Sequence, residues 1–339
     1  MAPGRGRDMT APAAGGALLS IRGLRVGIER RRETLEIVRG VDLDVAAGEK
    51  VGIVGESGSG KTLTVLSVLQ LLPPPLRVLG GSVEFAGENL TRAAPGRLRE
   101  VRGGQVAMVY QDPMTSLNPL LRVGSQIVEA LESHGVGRAA AVARTRDVLG
   151  HVGLHDPGRI ERAYPHELSG GMVQRAMIAM ALATSPRMLV ADEPTTALDV
   201  TIQQQILELV DSLQAETGMA VAWVTHDLGV VARLVDRVAV MYAGRIVEQG
   251  GTREIFARPQ HPYTAALIAA LPGAGSPHRA RLRQIGGTPP DPARLGVGCP
   301  FRSRCPSAEE RCAAEEPGLL DRGDGQLAAC WKEPSEWAS

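Results

Sequence analysis

Over residues 18–54 short apolar runs alternate with polar breaks, as LLSIRGLRVGI, EIVRGVDLDV and EKVGIVG. Alternation near period two predicts strands, and the unbroken apolar stretch at 51–54 predicts a strand buried on both faces. A helical pattern begins at about Lys61, where TVLSVLQLL carries a buried face. Pro73-Pro74-Pro75 is expected to end it, since proline cannot continue the backbone ladder. Further strands are expected at 82–85 and 106–110, and from 121 to 183 the spacing turns helical, with alanine-rich segments such as RAAAVARTRDVLGHVGL. Buried strands return at 188–191 and 220–224, and RVAVMYAGRIVEQG reads as a hairpin turning at Ala243-Gly244. Beyond it Pro, Gly and Arg accumulate and periodicity fades. The order is thus an α/β core, a helical insertion, the rest of the core and a loop-rich tail.

A length of 339 residues suits one main domain plus an appendage. Hydrophobic residues make up 44% and aromatics only 3%, so aliphatic side chains and Met must build the core. Lys+Arg and Asp+Glu balance at 37 each, which gives no electrostatic basis for nucleic acid or anionic lipid as the main partner. No apolar run approaches the ~18–20 residues of a spanning helix. The longest, 176–184, is cut by Ser185-Pro186-Arg187. Contact with a membrane is therefore expected to go through a protein partner, from the cytoplasmic side. Residues 1–16 are rich in Gly, Pro and Ala, lack the apolar core of a secretory signal, and read as a disordered leader with Met9 as a second candidate start.

Residues 55–62 read Gly55-Glu56-Ser57-Gly58-Ser59-Gly60-Lys61-Thr62, the full G-x-x-x-x-G-K-T loop, set between an apolar strand and a helix. The glycines let the backbone wrap tightly, so that its N–H groups and the helix N-terminus face phosphate oxygens. Lys61 would pair with the β- and γ-phosphates of ATP, and the Thr62 hydroxyl would ligate Mg²⁺. At 188–193 four apolar residues are followed by two carboxylates. Asp192 fits the role of holding Mg²⁺ through water, and Glu193 that of orienting or deprotonating the attacking water.

The run Leu168-Ser169-Gly170-Gly171-Met172-Val173-Gln174 resembles the LSGGQ signature of ABC ATPases. The other motifs of that family follow in order. Gln111 looks like the Q-loop glutamine, which the resemblance assigns to sensing Mg²⁺ and contacting the membrane subunit. Ala197-Leu198-Asp199 looks like the D-loop between paired subunits, and His226, in WVTHD, like the switch histidine on the γ-phosphate. Six motifs stand between residues 55 and 227. The resemblance implies a P-loop NTPase (RecA-like) ABC nucleotide-binding domain over 17–250, with an antiparallel β subdomain and a helical subdomain at about 112–180. It further implies that Ser169, Gly170 and Gly171 serve a partner's ATP, so that the working unit is a dimer. The aromatic residue on which the family usually stacks adenine is missing: no Phe, Tyr or Trp precedes Phe85, and the corresponding position, near Ile28, is aliphatic.

The stretch from Tyr110 to Pro119, QDPMTSLNP included, resembles the Q-loop region of oligopeptide and dipeptide importer ATPases, as does LSGGM with Met172. IFARPQHPYTAALIAALP, with His261-Pro262-Tyr263, matches the tail of that branch. The resemblance implies a "D-type" subunit for uptake of di- and oligopeptides, paired with an "F-type" ATPase in a heterodimer. Two membrane permeases would complete it, served indirectly by an extracytoplasmic binding protein. Importers of nickel, glutathione or glycans share the branch, and a soluble ABC ATPase is the more distant alternative. Residues 251–339 are expected to form a C-terminal metal- or cluster-binding extension. All four cysteines lie in it, as Cys299-x₅-Cys305-x₆-Cys312-x₁₇-Cys330. Four thiolates can hold Zn²⁺ or a [4Fe–4S] cluster. The tight C-x₂₋₄-C pair usual for structural zinc is lacking, and the resemblance points to the [4Fe–4S] cluster, with Zn²⁺, free thiols or disulfides as the alternatives, the last disfavoured in a reducing cytoplasm.

Overall fold

The computed structural model describes residues 16–29, 34–112, 116–196, 198–271 and 285–337. The strand at 51–54 is found as β3 (Lys50–Val54), with Val51, Ile53 and Val54 no more than 1% exposed. It lies between β8 (Ala220–Thr225) and β9 (Arg237–Tyr242) and is parallel to both. β7 (Met188–Asp192) and β6 (Val106–Val109) extend the parallel sheet beyond β8. These strands are near-continuous Val, Ile, Leu and Ala because both faces are covered. Phosphate loop, Gln111, Glu193 and His226 all follow the carboxyl ends of these strands, where open α/β sheets bind their ligands.

A second sheet is antiparallel, in the order β2-β1-β4-β5, from β1 (Leu19–Glu29), β2 (Thr34–Val45), β4 (Arg77–Phe85) and β5 (Glu88–Asn89). Its inner face shares a core with β3 and with Val65 and Val68 of the helix Lys61–Val68. The helices Val123–Ser133, Arg138–His151 and Gly170–Leu182 pack through Ile127, Leu131, Leu149 and Met177 into the second core, which continues under the parallel sheet.

Two boundaries differ from expectation. The helix at Lys61 ends at Val68, before the prolines: Gln70 takes a left-handed backbone (φ 51°), and Arg102 donates to the freed carbonyls of Leu69 (2.7 Å) and Gln70 (2.8 Å). A distant guanidinium stops this helix. β4 starts at Arg77 because β1 is long enough to pair with it from Gly27 onward. The expected turn Ala243-Gly244 is present, with φ 48° and 80°, the backbone a two-residue hairpin of the primed type needs. It leads to β10 (Arg245–Gly251), and a Cβ on Gly244 would stand 2.0 Å from the Ile37 carbonyl oxygen.

The tail carries more sheet than its composition announces. β12 (Leu327–Ala328) pairs antiparallel with β10, and β11 (Leu320–Asp321) with β12, so the main sheet runs β11-β12-β10-β9-β3-β8-β7-β6. The extension thereby continues the sheet of the phosphate loop.

Candidate functional site

The loop after β3 is shaped by a glycine at its first position. Gly55 has φ 153°, and a Cβ there would lie 2.2 Å from the carbonyl oxygen of Met241. The helix that follows starts without a side-chain cap, leaving its first amides directed into the loop. The Ser59 hydroxyl is buried with no hydrogen-bond partner among the described residues. Lys61, 4% exposed, turns its Nζ onto the carbonyls of Gly55 (2.8 Å) and Glu56 (3.1 Å) and lies 3.9 Å from Glu193 Oε1. Burial lowers the Lys61 pKa, opposed by Glu193 and Asp192. Uncapped amides, an orphaned hydroxyl and a buried cation fit a polyanionic phosphate.

Asp192 closes β7 and accepts from Thr62 Oγ1 at 3.1 Å. Burial pushes its carboxyl up to about 6, against the Thr62 hydrogen bond. This pair fits Mg²⁺, a hard cation that takes oxygen ligands.

Glu193, next in sequence, gathers the rest. Its Oε2 accepts from Thr196 Oγ1 (3.0 Å) and Gln111 Nε2 (3.3 Å) and lies 3.1 Å from His226 Nδ1. It does so from a left-handed backbone, φ 46°, a conformation costing a non-glycine residue about 1–3 kcal/mol and concentrated at active sites. Lys61, Thr62, Gln111, Asp192, Glu193 and His226 are therefore brought together by four strand ends. Thr196 joins them without having been foreseen; its only sequence signal is its place three residues after Glu193. Two further residues absent from the expected site, Tyr263 and Arg304, reach Glu56 from the tail.

Ser169, Gly170 and Gly171 stand apart. Ser169 Oγ accepts from Met172 N (3.4 Å) to cap the helix Gly170–Leu182, and no hydrogen bond or ion pair joins these three to the Lys61–Glu193–His226 group among the described residues. Asp199 Oδ1 accepts from Ile202 N (3.0 Å) and caps the helix Val200–Thr217. Residues 1–15, Pro113-Met114-Thr115 and Ala197 lie outside the described residues. Ile28 is half-buried on β1 opposite Leu35.

The expected cluster extension is overturned. Cys299, Cys305, Cys312 and Cys330 are half-buried free thiols lining one small apolar cavity beside Phe301 and Trp331. Among the described residues no group of three or more His, Cys, Asp or Glu side chains is arranged to hold a metal ion, so neither the [4Fe–4S] cluster nor its Zn²⁺ alternative is supported. Burial pushes the Cys299 thiol up to about 11 and raises Cys305 and Cys330, so desolvation favours the neutral thiol at these positions. Protein contacts hold the tail instead. Phe301 packs on Tyr242 (5.3 Å), Tyr263 (5.4 Å) and His261 (5.9 Å) between ring centroids. The buried Glu248 carboxylate accepts from the Gln260 (2.7 Å) and His261 (2.9 Å) amides.

Residues 38–196 match the family described as "ABC transporter", and residues 247–312 match "Oligopeptide/dipeptide transporter, C-terminal region". The chain is 50% identical over 317 residues to the "Probable peptide ABC transporter ATP-binding protein y4tR" of Sinorhizobium fredii, covering 93% of this chain and 95% of that protein. It is 46% identical to the dipeptide transport ATP-binding protein DppD of Bacillus subtilis, over 93% of this chain and 94% of that one. The chain belongs to the ATP-binding subunits of oligopeptide and dipeptide ABC transporters. Against the oligopeptide transport ATP-binding protein OppD of Salmonella typhimurium the subunit is 44% identical, over 96% of this chain and 97% of that one. Its fold matches the dimeric post-hydrolysis state of the ATP-binding cassette MJ0796 bound to ADP and Pi. There the TM-score is 0.62 and the identity 26%, over 69% of this chain and 99% of that one. Family membership makes this subunit an ATPase that works with ATP and Mg²⁺, in accord with the fit of the phosphate loop and of Thr62 with Asp192.

Proposed function

We propose that this ABC subunit couples ATP binding and hydrolysis to the uptake of di- and oligopeptides, as one half of an asymmetric ATPase pair. The carrying observation is the convergence of Lys61, Gln111, Thr196 and His226 on the single carboxylate of Glu193. ATP with Mg²⁺ supplies the γ-phosphoryl group and offsets its charge. Lys61 compensates the phosphates, while Thr62 and Asp192 hold the metal's side of the site. Glu193 orients a water for in-line attack and takes its proton as the new oxygen–phosphorus bond forms and the bond to the β-phosphate oxygen breaks. His226, with its side chain 55% exposed, remains free to reach the γ-phosphate from the open side.

Ser169, Gly170 and Gly171 are read as facing the nucleotide of the partner, an F-type ATPase in a heterodimer. Their position at an uncovered helix N-terminus, away from this chain's own Lys61, supports that reading. The permeases are read as docking beside Gln111, where Tyr110, Leu120 and Leu121 leave apolar surface 40–82% exposed. The subunit is read as sitting peripherally on the cytoplasmic face, through its contact with the permeases; no described helix is long and apolar enough to cross a membrane. The domain reading keeps 17–250 as the ATPase and 251–339 as its extension.

Glu193→Gln in the assembled transporter is the test. General-base catalysis contributes about 10²–10⁴-fold, so hydrolysis should fall at least a hundredfold while ATP still drives a closed dimer. Undiminished hydrolysis at this site would remove the assignment. Uptake of a labelled dipeptide by the reconstituted transporter tests the cargo, and transport of nickel without peptide would replace it.

A further inference from the structure

Glu56 occupies the second position of the phosphate loop, and the extension engages it twice. Arg304, its side chain only 2% exposed, donates from Nη1 to Glu56 Oε2 (2.5 Å) and from Nη2 to Oε1 (2.8 Å), a two-pronged pair across 248 residues of sequence. The Glu56 backbone N–H donates to the Tyr263 hydroxyl at 2.9 Å. The remaining polar group of Glu56, its carbonyl, accepts from Lys61 Nζ (3.1 Å) and Ser59 N (3.2 Å).

Both contacts are themselves held rigidly. Tyr263 is fully buried, 4.6 Å from the Tyr242 ring. The Arg304 guanidinium lies 5.8 Å from the Tyr242 ring centroid and 5.9 Å from that of Phe301, and its Nε donates to the Gly286 carbonyl (2.8 Å). A desolvated arginine is tolerated only when its charge is met, and a planar fork meets a carboxylate with little freedom left. The carboxylate met here belongs to the phosphate loop.

We propose that the C-terminal extension sets the shape of the phosphate loop, with Arg304 and Tyr263 as positioning residues that act on Lys61 through Glu56. Two consequences follow from the geometry. The Glu56 N–H is committed to Tyr263, so the donors that cradle phosphate come from later residues of the loop. When Lys61 leaves the carbonyls of Gly55 and Glu56 for a phosphate, the loop loses two of its internal bonds, and the Arg304–Glu56 pair then keeps it from slackening. The inference rests on reading residues 55–62 as the nucleotide site.

The experiment measures Mg·ATP affinity of the full chain, and KM and kcat of the assembled ATPase, for five single variants and one double variant. Charge-assisted pairs are about twice as strong as neutral ones. Arg304→Gln is therefore expected to raise the ATP dissociation constant and KM by about tenfold, with kcat within about twofold. Arg304→Lys should recover part of the loss. Tyr263→Phe, which keeps the ring and removes only the hydroxyl, should raise KM by about threefold. Glu56→Gln should match Arg304→Gln, and combining the two should add nothing more, as for residues acting through one bond. Arg322→Gln is the control: Arg322 ties the Cys330 and Lys332 carbonyls and Glu333 together within the extension and touches no residue of the loop. It should lower Tm and leave ATP affinity alone. Unchanged affinity in Tyr263→Phe and Arg304→Gln would overturn the proposal, as would an equal loss in Arg322→Gln. Should Arg304→Gln fail to fold, Tyr263→Phe decides alone. If the wild-type chain itself fails to bind Mg·ATP, the reading of the nucleotide site falls instead.

Discussion

Asp192 is held in an environment that suits a divalent cation and penalises the bare carboxylate. Its pKa of about 6 in the folded chain lies above the ordinary 3.8, because burial outweighs the Thr62 hydrogen bond. A raised carboxyl pKa means that the folded state binds the proton more tightly than the unfolded chain. The contribution to stability is fully present below about pH 4 and is lost as pH rises through 6. Asp192→Asn, which cannot ionise, should therefore raise Tm above pH 7 in the absence of nucleotide. The gain corresponds to about 1–3 kcal/mol and should shrink as pH falls toward 5. Hydrolysis should be lost at every pH. Thermal melts at pH 5 and 8 check this, and an equal gain at both would refute it. Thr196→Val tests the unforeseen member of the site. Losing one hydrogen bond to Glu193 should lower kcat by about tenfold with ATP affinity unchanged, read in steady-state kinetics. Lys61, Thr62, Asp192 and Glu193 were legible in the sequence from motifs set at the ends of apolar strands, and Gln111 and His226 from the family resemblance together with their place after such strands. Arg304 was not: an arginine among many in a proline-rich tail gives no sign that its partner lies 248 residues earlier.

At the level of elements, caps and turns decide where the chain stops and reverses. Asp199→Ala should destabilise the fold by about 1 kcal/mol through loss of the cap on the helix Val200–Thr217, measurable by denaturant unfolding. Gly244→Ala should cost more, at least about 2 kcal/mol, since the added Cβ meets the Ile37 carbonyl at 2.0 Å on a left-handed backbone. It should also weaken nucleotide binding, because the Gly244 amide donates to the Ser59 carbonyl (3.0 Å) in the phosphate loop. The hairpin was legible from its Ala-Gly turn between two apolar runs. The end of the helix at Val68 was not, because Arg102 supplies the terminating bonds from another element. β11 and β12, two residues each, are too short to show any periodicity, and they exist only through the pairing of β12 with β10 and of β11 with β12.

The whole molecule is organised around one sheet that passes from the extension through β10 and β9 to the strand of the phosphate loop. Ending the chain at Gly251 would uncover the pairing edge of β10 and strip Phe301 and Tyr263 from Tyr242. The shortened chain should aggregate, seen by size exclusion with light scattering; a soluble, folded 1–251 fragment would show that the extension is an independent unit. The surroundings of the four cysteines were not legible at this scale, because gaps along the chain say nothing of how deeply each thiol is buried.

The central place of β3 has one more consequence. β3 is complete in the chain by residue 54, yet its two neighbours span 220–225 and 237–242. During synthesis its apolar edges wait unpaired while more than half of the polypeptide leaves the ribosome, a long exposure to wrong partners. The nascent chain therefore gains its phosphate loop late, and a holdase chaperone acting before residue 242 should raise its yield more than one acting after release.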